Sequence, residues 1–99
     1  MNIPRITQSD LHPHLKARME QRGVTLDEIQ RALDEGWMAS DARIGTVGRT
    51  LICPYAQEWE GAFYPEKEVT VYYKIGEGGM VLLTVKARYG SGLPRGEAK

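Results

Sequence analysis

The chain has 99 residues, of which 41% are hydrophobic and 26% charged, and its thirteen basic side chains balance thirteen acidic ones. A chain of this length is expected to form one domain that buries roughly 65% of its unfolded surface. A net charge of zero excludes attraction of the whole molecule to nucleic acid or membrane, so any such role needs a local charge asymmetry. No apolar run approaches the ~20 residues that cross a bilayer, so we expect no membrane partner.

The single cysteine, Cys53, has no second cysteine with which to form a disulfide. The chain shows no charged start followed by an apolar run of the kind that is typical of a signal peptide. We therefore expect a cytoplasmic protein in which Cys53 is a small buried residue of a strand.

The first predicted helix begins at Leu11 with Ser9 or Asp10 as its cap, and it ends at Gly23. Pro13 is tolerated in the first turn because its missing N–H would have no partner there. Spacing by four predicts an apolar stripe and a polar stripe side by side: Leu11, Leu15 and Met19, and His14, Arg18 and Arg22.

The second predicted helix begins with a capping box, in which Thr25 accepts from the backbone near Glu28 and Glu28 reaches back to Thr25. It ends at Gly36, and the connection between Gly23 and Thr25 is so short that the two helices should form a hairpin.

After Gly36 the apolar spacing changes to two, which predicts an antiparallel sheet. Its four strands are expected at Trp37 to Val47, Thr50 to Pro54, Glu68 to Ile75 and Val81 to Tyr89. Gly45 and Gly48 suit the first turn, the Gly76 to Gly79 stretch suits the last, and Tyr55 to Lys67 is expected to be a long, partly packed loop. The predicted domain is 1–90, followed by a flexible tail at 91–99.

Alternation on the last two strands predicts which residues face the helices: Val69, Val71, Tyr73, Val81, Leu83, Val85 and Ala87. The opposite face then carries Thr70, Tyr72, Lys74, Leu82, Thr84, Lys86 and Arg88. Pairing Val71 with Val85 would place Glu68 opposite Arg88. This face is either an ordinary solvated surface or a phosphate-binding surface on which a tyrosine ring stacks a base.

Two other constellations involve the histidines. His12 and His14 with Cys53 make a poor metal site, because two histidines two apart do not share a helix face, and we expect no metal and no cofactor. His14 is a candidate general acid or base, with an ordinary surface or capping role as the alternative.

The N-terminal half carries a specific pattern: His14, then Arg18-Met19, Arg22-Gly23-Val24-Thr25 and Glu28-Ile29. It resembles an uncharacterised bacterial domain family that starts H-A-x-x-R-M-x-x-R-G-[IV]-[ST], although Leu15 replaces the alanine. That family is placed in the RelE/ParE toxin-like superfamily. The resemblance implies an α+β fold in which a helical hairpin packs on one face of a four-stranded antiparallel sheet, completed by a short N-terminal edge strand at Ile3 to Thr7.

RelE-like toxins are ribonucleases that cut ribosome-bound messenger RNA. The resemblance implies that Lys86 and Arg88 stabilise a phosphate, that Tyr72 or Tyr89 stacks on a base or handles a proton, and that His14 is the remaining acid or base. Other candidate RNA-binding residues are Lys74, Arg18 and Arg22.

Two functions remain open. The first is a toxin-type protein that binds or cleaves RNA, an endoribonuclease of the mRNA-interferase type if it is an enzyme, with RNA or the ribosome as target and a cognate antitoxin as partner. The second is a non-catalytic module of the same fold that holds RNA or a small protein through the basic face or the segment from Tyr55 to Lys67.

Overall fold

We describe residues 5–95 of the protein in a computed structural model. A single 3₁₀ turn at Gln8–Asp10 precedes α1 (Pro13–Arg22), and α2 (Leu26–Glu35) follows directly. The four strands are β1 (Trp37–Met38), β2 (Val47–Trp59), β3 (Ala62–Gly76) and β4 (Gly79–Gly90). They form one antiparallel sheet in the order β1-β2-β3-β4, with both helices packed against it. The predicted α+β class, two helices on a four-stranded antiparallel sheet, is confirmed.

The cap of α1 differs from the prediction. His12 is the cap, and its Nδ1 accepts from the Leu15 N–H at 3.2 Å. An Nδ1 that accepts must leave the ring proton on Nε2, so Nε2 donates to the carbonyl of Leu82 at 3.0 Å. Asp10 instead accepts from the Thr7 N–H and closes the 3₁₀ turn. One imidazole thus caps α1 and ties it to β4.

The capping box of α2 is confirmed: the Glu28 N–H donates to Thr25 Oγ1 at 3.1 Å, and the Thr25 N–H donates to the Glu28 carboxylate at 2.9 Å. Gly23 ends α1 in the left-handed region at φ +70°. A Cβ on Gly23 would lie 2.6 Å from the Trp59 ring, so both the backbone and the space require glycine there.

Two predicted boundaries in the sheet were wrong. The first strand stops at Met38, and 39–46 forms a loop that a turn from Arg43 to Thr46 closes, with Gly45 at φ +87°. The predicted loop at Tyr55 to Lys67 is instead a hairpin of two paired strands. Its turn residues Glu60 and Gly61 both have positive φ, which matches the twist of the flanking strands.

The predicted assignment of β4 residues to the two faces of the sheet is wrong for the residues that precede Thr84. The register is as predicted from Glu68–Arg88 to Tyr72–Thr84, but a bulge at Leu83 makes Leu82 the partner of Tyr73. One extra residue reverses the alternation, so Leu82 is buried in the core while Val81 is exposed.

The described part of the predicted N-terminal edge strand, from Arg5 to Thr7, does not form a strand. Ile3 and Pro4 lie outside the described residues. The N–H of Ile6 donates to the Gln30 side chain on α2 at 2.6 Å instead. At the other end, Glu66 accepts from the Leu93 N–H at 2.8 Å and pairs with Arg95.

The core lies between the helices and the sheet, and its members are nearly all aliphatic: Ile6, Leu11, Leu15, Val24, Ile29, Ala32, Leu33, Val69, Val71, Tyr73, Leu82 and Val85. No helix within residues 5–95 is long and apolar enough to span a membrane.

Lys67, in the centre of β3, is only 1% exposed. Its ammonium donates to the carbonyl of Gly23 and to the Glu28 carboxylate at 2.8 Å. It also lies 5.2 Å from the ring centre of Tyr55 and 5.5 Å from that of Tyr89. A buried charge is tolerated only when it is paired and hydrogen-bonded, and these contacts meet that condition.

An aromatic cluster surrounds this lysine. The Tyr89 ring stacks on Trp59 at 5.2 Å between centres and packs against Tyr55 and Tyr64. The Tyr89 hydroxyl donates to the carbonyl of Arg22 at 2.5 Å. Burial raises the pKa of Tyr89 far above its ordinary value. The cluster therefore joins the β2–β3 hairpin to the end of α1.

Lys67→Met should destabilise the protein by about 2–4 kcal/mol, because it leaves the Glu28 carboxylate and the Gly23 carbonyl without their partner. Urea unfolding followed by circular dichroism measures the loss. The control is Lys74→Met at an exposed position, where we expect a change within about 0.5 kcal/mol. Equal losses in the two variants would contradict this role for Lys67.

The raised pKa of Tyr89 sets an alkaline limit to stability. The folded state favours the protonated hydroxyl, so its contribution is complete below pH about 10 and declines above that value by up to about 1.4 kcal/mol per pH unit. Tyr89→Phe should lower the stability at pH 7 by about 1 kcal/mol and flatten this decline. Unfolding free energies measured from pH 8 to 11 test it, and an equally steep decline in Tyr89→Phe would contradict this role for the hydroxyl.

Candidate functional site

A cleft of about 490 Å³ runs beside the edge strand β4, between α1 and the loop at 39–46. We call it the β4 cleft. Its lining residues come from α1, the loop, β3 and β4: His14, Arg18, Arg22, Asp41, Arg43, Thr46, Tyr72, Leu83, Thr84, Val85 and Lys86.

Helix α1 supplies one wall. His14, Arg18 and Arg22 are four residues apart, so they share one side of the helix. Leu15 is fully buried in the core, which sets the rotation of α1 and turns the polar stripe towards β4. The structure thus brings together three of the predicted residues.

Strands β3 and β4 supply the floor. Tyr72 and Thr84 are paired across the two strands, and Lys86 lies two residues further along β4. The Lys86 ammonium lies 5.2 Å from the centre of the Tyr72 ring. The bulge at Leu83 turns that side chain out of the core, and it lines the cleft.

Asp41 joins the loop to the floor. The Tyr72 hydroxyl donates to the two Asp41 oxygens at 2.8 and 3.0 Å, and the Lys86 ammonium donates to Oδ2 at 3.0 Å. The Lys86 and Tyr72 donors hold the pKa of Asp41 below its ordinary value. Burial, and then the bond to Asp41, raises the pKa of Tyr72, while Asp41 raises the pKa of Lys86. At neutral pH the site therefore holds a carboxylate, a neutral phenol and an ammonium.

The charge of the cleft is unbalanced. Arg18, Arg22, Arg43 and Lys86 line it, and among residues 5–95 Asp41 is the one carboxylate that does so. Asp41 pairs with Lys86, while none of the three arginines forms an ion pair with a described carboxylate. The cleft is suited to an anion with several negative groups.

Three predicted site residues lie elsewhere. Arg88 pairs with Glu68 at 2.9 Å and lines a second groove, of about 610 Å³, on the uncovered face of the sheet. Lys74 is exposed opposite Val81, near the β3–β4 turn. Tyr89 lies in the aromatic cluster under the helical hairpin, where its ring and hydroxyl are already in contact with the protein. The second groove meets the β4 cleft at Asp41, Tyr72 and Lys86.

Two charged residues of the cleft, Asp41 and Arg43, are not among the predicted site residues. Both fall in the stretch that was predicted to be the first strand, whose sequence Ala39-Ser40-Asp41-Ala42-Arg43 has little of the apolar alternation that a strand needs. Treating that stretch as a loop would have singled out its charged residues, but not their contact with β4.

His12, His14 and Cys53, which were considered as metal ligands and for which no metal is expected, do not form a metal-binding group in residues 5–95. The His12 and His14 rings are stacked 6.1 Å apart, and Cys53 is buried, with its pKa raised by that burial. Within residues 5–95, no three histidine, cysteine or carboxylate side chains are placed to hold a metal ion.

Comparison with protein-family models, with curated proteins and with solved structures finds no match to this chain.

Proposed function

We propose that the protein is a RelE-like domain that binds RNA through its phosphate backbone, in the β4 cleft. The observation that carries this proposal is the group of three arginines, Arg18, Arg22 and Arg43, that face one cleft without a described carboxylate partner. A guanidinium presents two parallel N–H donors that match two phosphate oxygens, so arginines without a carboxylate partner on one surface suit a polyphosphate chain. Arg18 donates to the neutral side chain of Gln21 at 3.0 Å, which leaves its charge uncompensated.

The zero net charge is compatible with this role because acidic residues are concentrated elsewhere. Helix α2 carries Asp27, Glu28, Asp34 and Glu35 but a single base, Arg31, and it packs against β2 and β3. Helix α1 packs against β4 and carries its arginines there. Affinity for RNA depends on the local charge of the contact surface, which here is positive.

The binding surface we propose differs from the one expected from the strands alone. On the uncovered face Arg88 is paired with Glu68 and Arg95 with Glu66, so their charges are already neutralised. Among residues 5–95, the arginines of α1 and the loop have no carboxylate partners. We therefore place the RNA beside β4, between α1 and the loop, with ribosome-bound RNA as the target that the RelE-like resemblance suggests.

Replacing Arg18 and Arg22 by alanine should weaken binding of a labelled single-stranded RNA about ten- to a hundredfold at low salt, because two charge-assisted contacts are lost. For three to four phosphate contacts, the wild-type affinity should fall with salt with a logarithmic slope of roughly −2 to −3. Fluorescence anisotropy across a salt series measures both quantities.

The matched control is Arg31→Ala on α2, an arginine that is paired with Glu35 and does not line the cleft, which should leave affinity and slope unchanged. An RNA affinity that is equally insensitive to both substitutions would exclude the β4 cleft as the binding site.

RNA cleavage is a second candidate function, favoured because His14, Tyr72 and Lys86 line the same cleft. In this reaction the ribose 2′-oxygen attacks the neighbouring phosphorus and the bond to the 5′-oxygen breaks. His14 would accept the 2′ proton, the Lys86 ammonium would stabilise the phosphoryl charge, and Tyr72, kept protonated by its raised pKa, would donate to the leaving oxygen.

Induction of the protein in a bacterial host should then arrest growth and fragment RNA, and His14→Ala should reduce cleavage in vitro about 10²- to 10⁴-fold while RNA binding persists. His14 is exposed, so the substitution should not affect folding. Normal growth with intact RNA, together with RNA binding, would identify the protein as a non-catalytic binding module instead.

A further inference from the structure

We infer that Asp41 is an internal substitute for a ligand phosphate. In the free protein its carboxylate accepts the hydrogen bonds of Tyr72 and Lys86, and a phosphate group of the ligand displaces it from these two donors. This inference rests on the proposed function, since it describes how the same cleft is closed and opened. It assigns the loop at 39–46 the role of an autoinhibitory segment.

The contacts of Asp41 are those that a phosphate would make. One hydroxyl and one ammonium converge on its two oxygens at 2.8 to 3.0 Å. Two oxygens of a phosphodiester, which share one negative charge, can accept the same two donors. Lys86 and Tyr72 thus form an anion site that the protein fills with its own side chain.

The loop is weakly held apart from this contact. None of residues 40–45 is buried, and Ile44 at its tip is fully exposed. The Asp41 and Lys86 side chains are themselves 56% and 58% exposed, so water competes for their ion pair. The backbone bond from Ala39 to Gly48 closes the base of the loop, and the Thr46 N–H and hydroxyl both donate to the Arg43 carbonyl in the turn that follows Asp41. None of these bonds involves Asp41, so they can persist when its carboxylate moves. Displacing the Asp41 carboxylate therefore costs little free energy when several cations of the cleft already hold the ligand.

Arg43 lies two residues from Asp41 on the same loop and lines the same cleft. A ligand that binds Arg18, Arg22 and Arg43 is brought next to Asp41 before it reaches Lys86. Because the Asp41 carboxylate competes with an incoming phosphate for Tyr72 and Lys86, single small anions bind weakly. A ligand with several linked phosphates is favoured, since its other phosphates are held by the arginines.

Exchange of one anion for another has a measurable consequence. In the wild-type protein Lys86 only changes partner when the ligand binds, so Lys86→Ala should weaken binding by less than about threefold. In a variant without the Asp41 carboxylate, Lys86 has no partner to give up, so its contact with the phosphate should contribute fully to the RNA affinity. The two residues are therefore coupled, and a double-mutant cycle measures the coupling.

The experiment compares the binding of one labelled single-stranded RNA by the wild type, Asp41→Asn, Lys86→Ala and the double variant. Asp41→Asn should bind about three- to tenfold more tightly, and the gain should vanish in the double variant. Glu68→Gln is the control, since it also removes a carboxylate that is paired on the sheet, with Arg88, but outside the β4 cleft. It should change the affinity less than twofold.

A second measurement does not depend on a variant. In NMR spectra of the wild type, nuclear Overhauser contacts between the Asp41 side chain and the Tyr72 ring should disappear when RNA is added, because the carboxylate leaves the Tyr72 hydroxyl and the Lys86 ammonium. Persistence of these contacts in the RNA-bound protein would overturn the inference.

The outcomes separate the two proposals. If wild-type RNA binding depends on Arg18 and Arg22 but Asp41→Asn gains no more than Glu68→Gln, the inference on Asp41 fails and the proposed function stands. If no variant binds RNA but Asp41→Asn binds inorganic triphosphate through Lys86, the anion site stands and RNA is the wrong ligand. If no variant binds either probe, both proposals are wrong.

Discussion

The buried ammonium of Lys67 is the contact on which the arrangement of the molecule depends. It joins the middle of β3 to the carbonyl of Gly23, at the turn of the helical hairpin, and to Glu28, in the first turn of α2. Hydrophobic packing alone would allow a helix to shift or rotate on a sheet, but a desolvated charge must meet its partners at hydrogen-bond distance. Lys67 therefore fixes where the hairpin lies on the sheet.

The end of α1 is fixed at the same place by different chemistry. The Tyr89 hydroxyl holds the Arg22 carbonyl, and Trp59 packs so closely on Gly23 that no side chain fits there. His12 holds the other end of the helix through the Leu82 carbonyl. With both ends tied to the sheet, the arginines of α1 are held beside β4, and the position of the proposed binding site follows from the packing of the fold.

Neutral total charge and a cationic cleft are compatible because ion pairing is uneven across the surface. Glu68 and Glu66 neutralise Arg88 and Arg95 on the uncovered face, and Glu28 neutralises Lys67 inside. Within residues 5–95, the three arginines that line the cleft take part in no ion pair, and the one carboxylate of the cleft lining, on Asp41, belongs to a weakly held loop. A sum of formal charges cannot show this, because it contains no distances.

Local patterns in the sequence determined the α+β class, the capping box of Thr25 and Glu28, the end of α1 at Gly23 and the pairing of Glu68 with Arg88. These features depend on residues that are close in sequence or on regular alternation, so periodicity and capping rules suffice. Tertiary structure decided the remainder. A one-residue bulge at Leu83 moves the side chains that precede Thr84 to the opposite faces of the sheet. The hydrogen-bond partners of Lys67 and Asp41 lie between 31 and 45 residues away in the chain. Such contacts depend on how the elements pack in space, which no local pattern encodes.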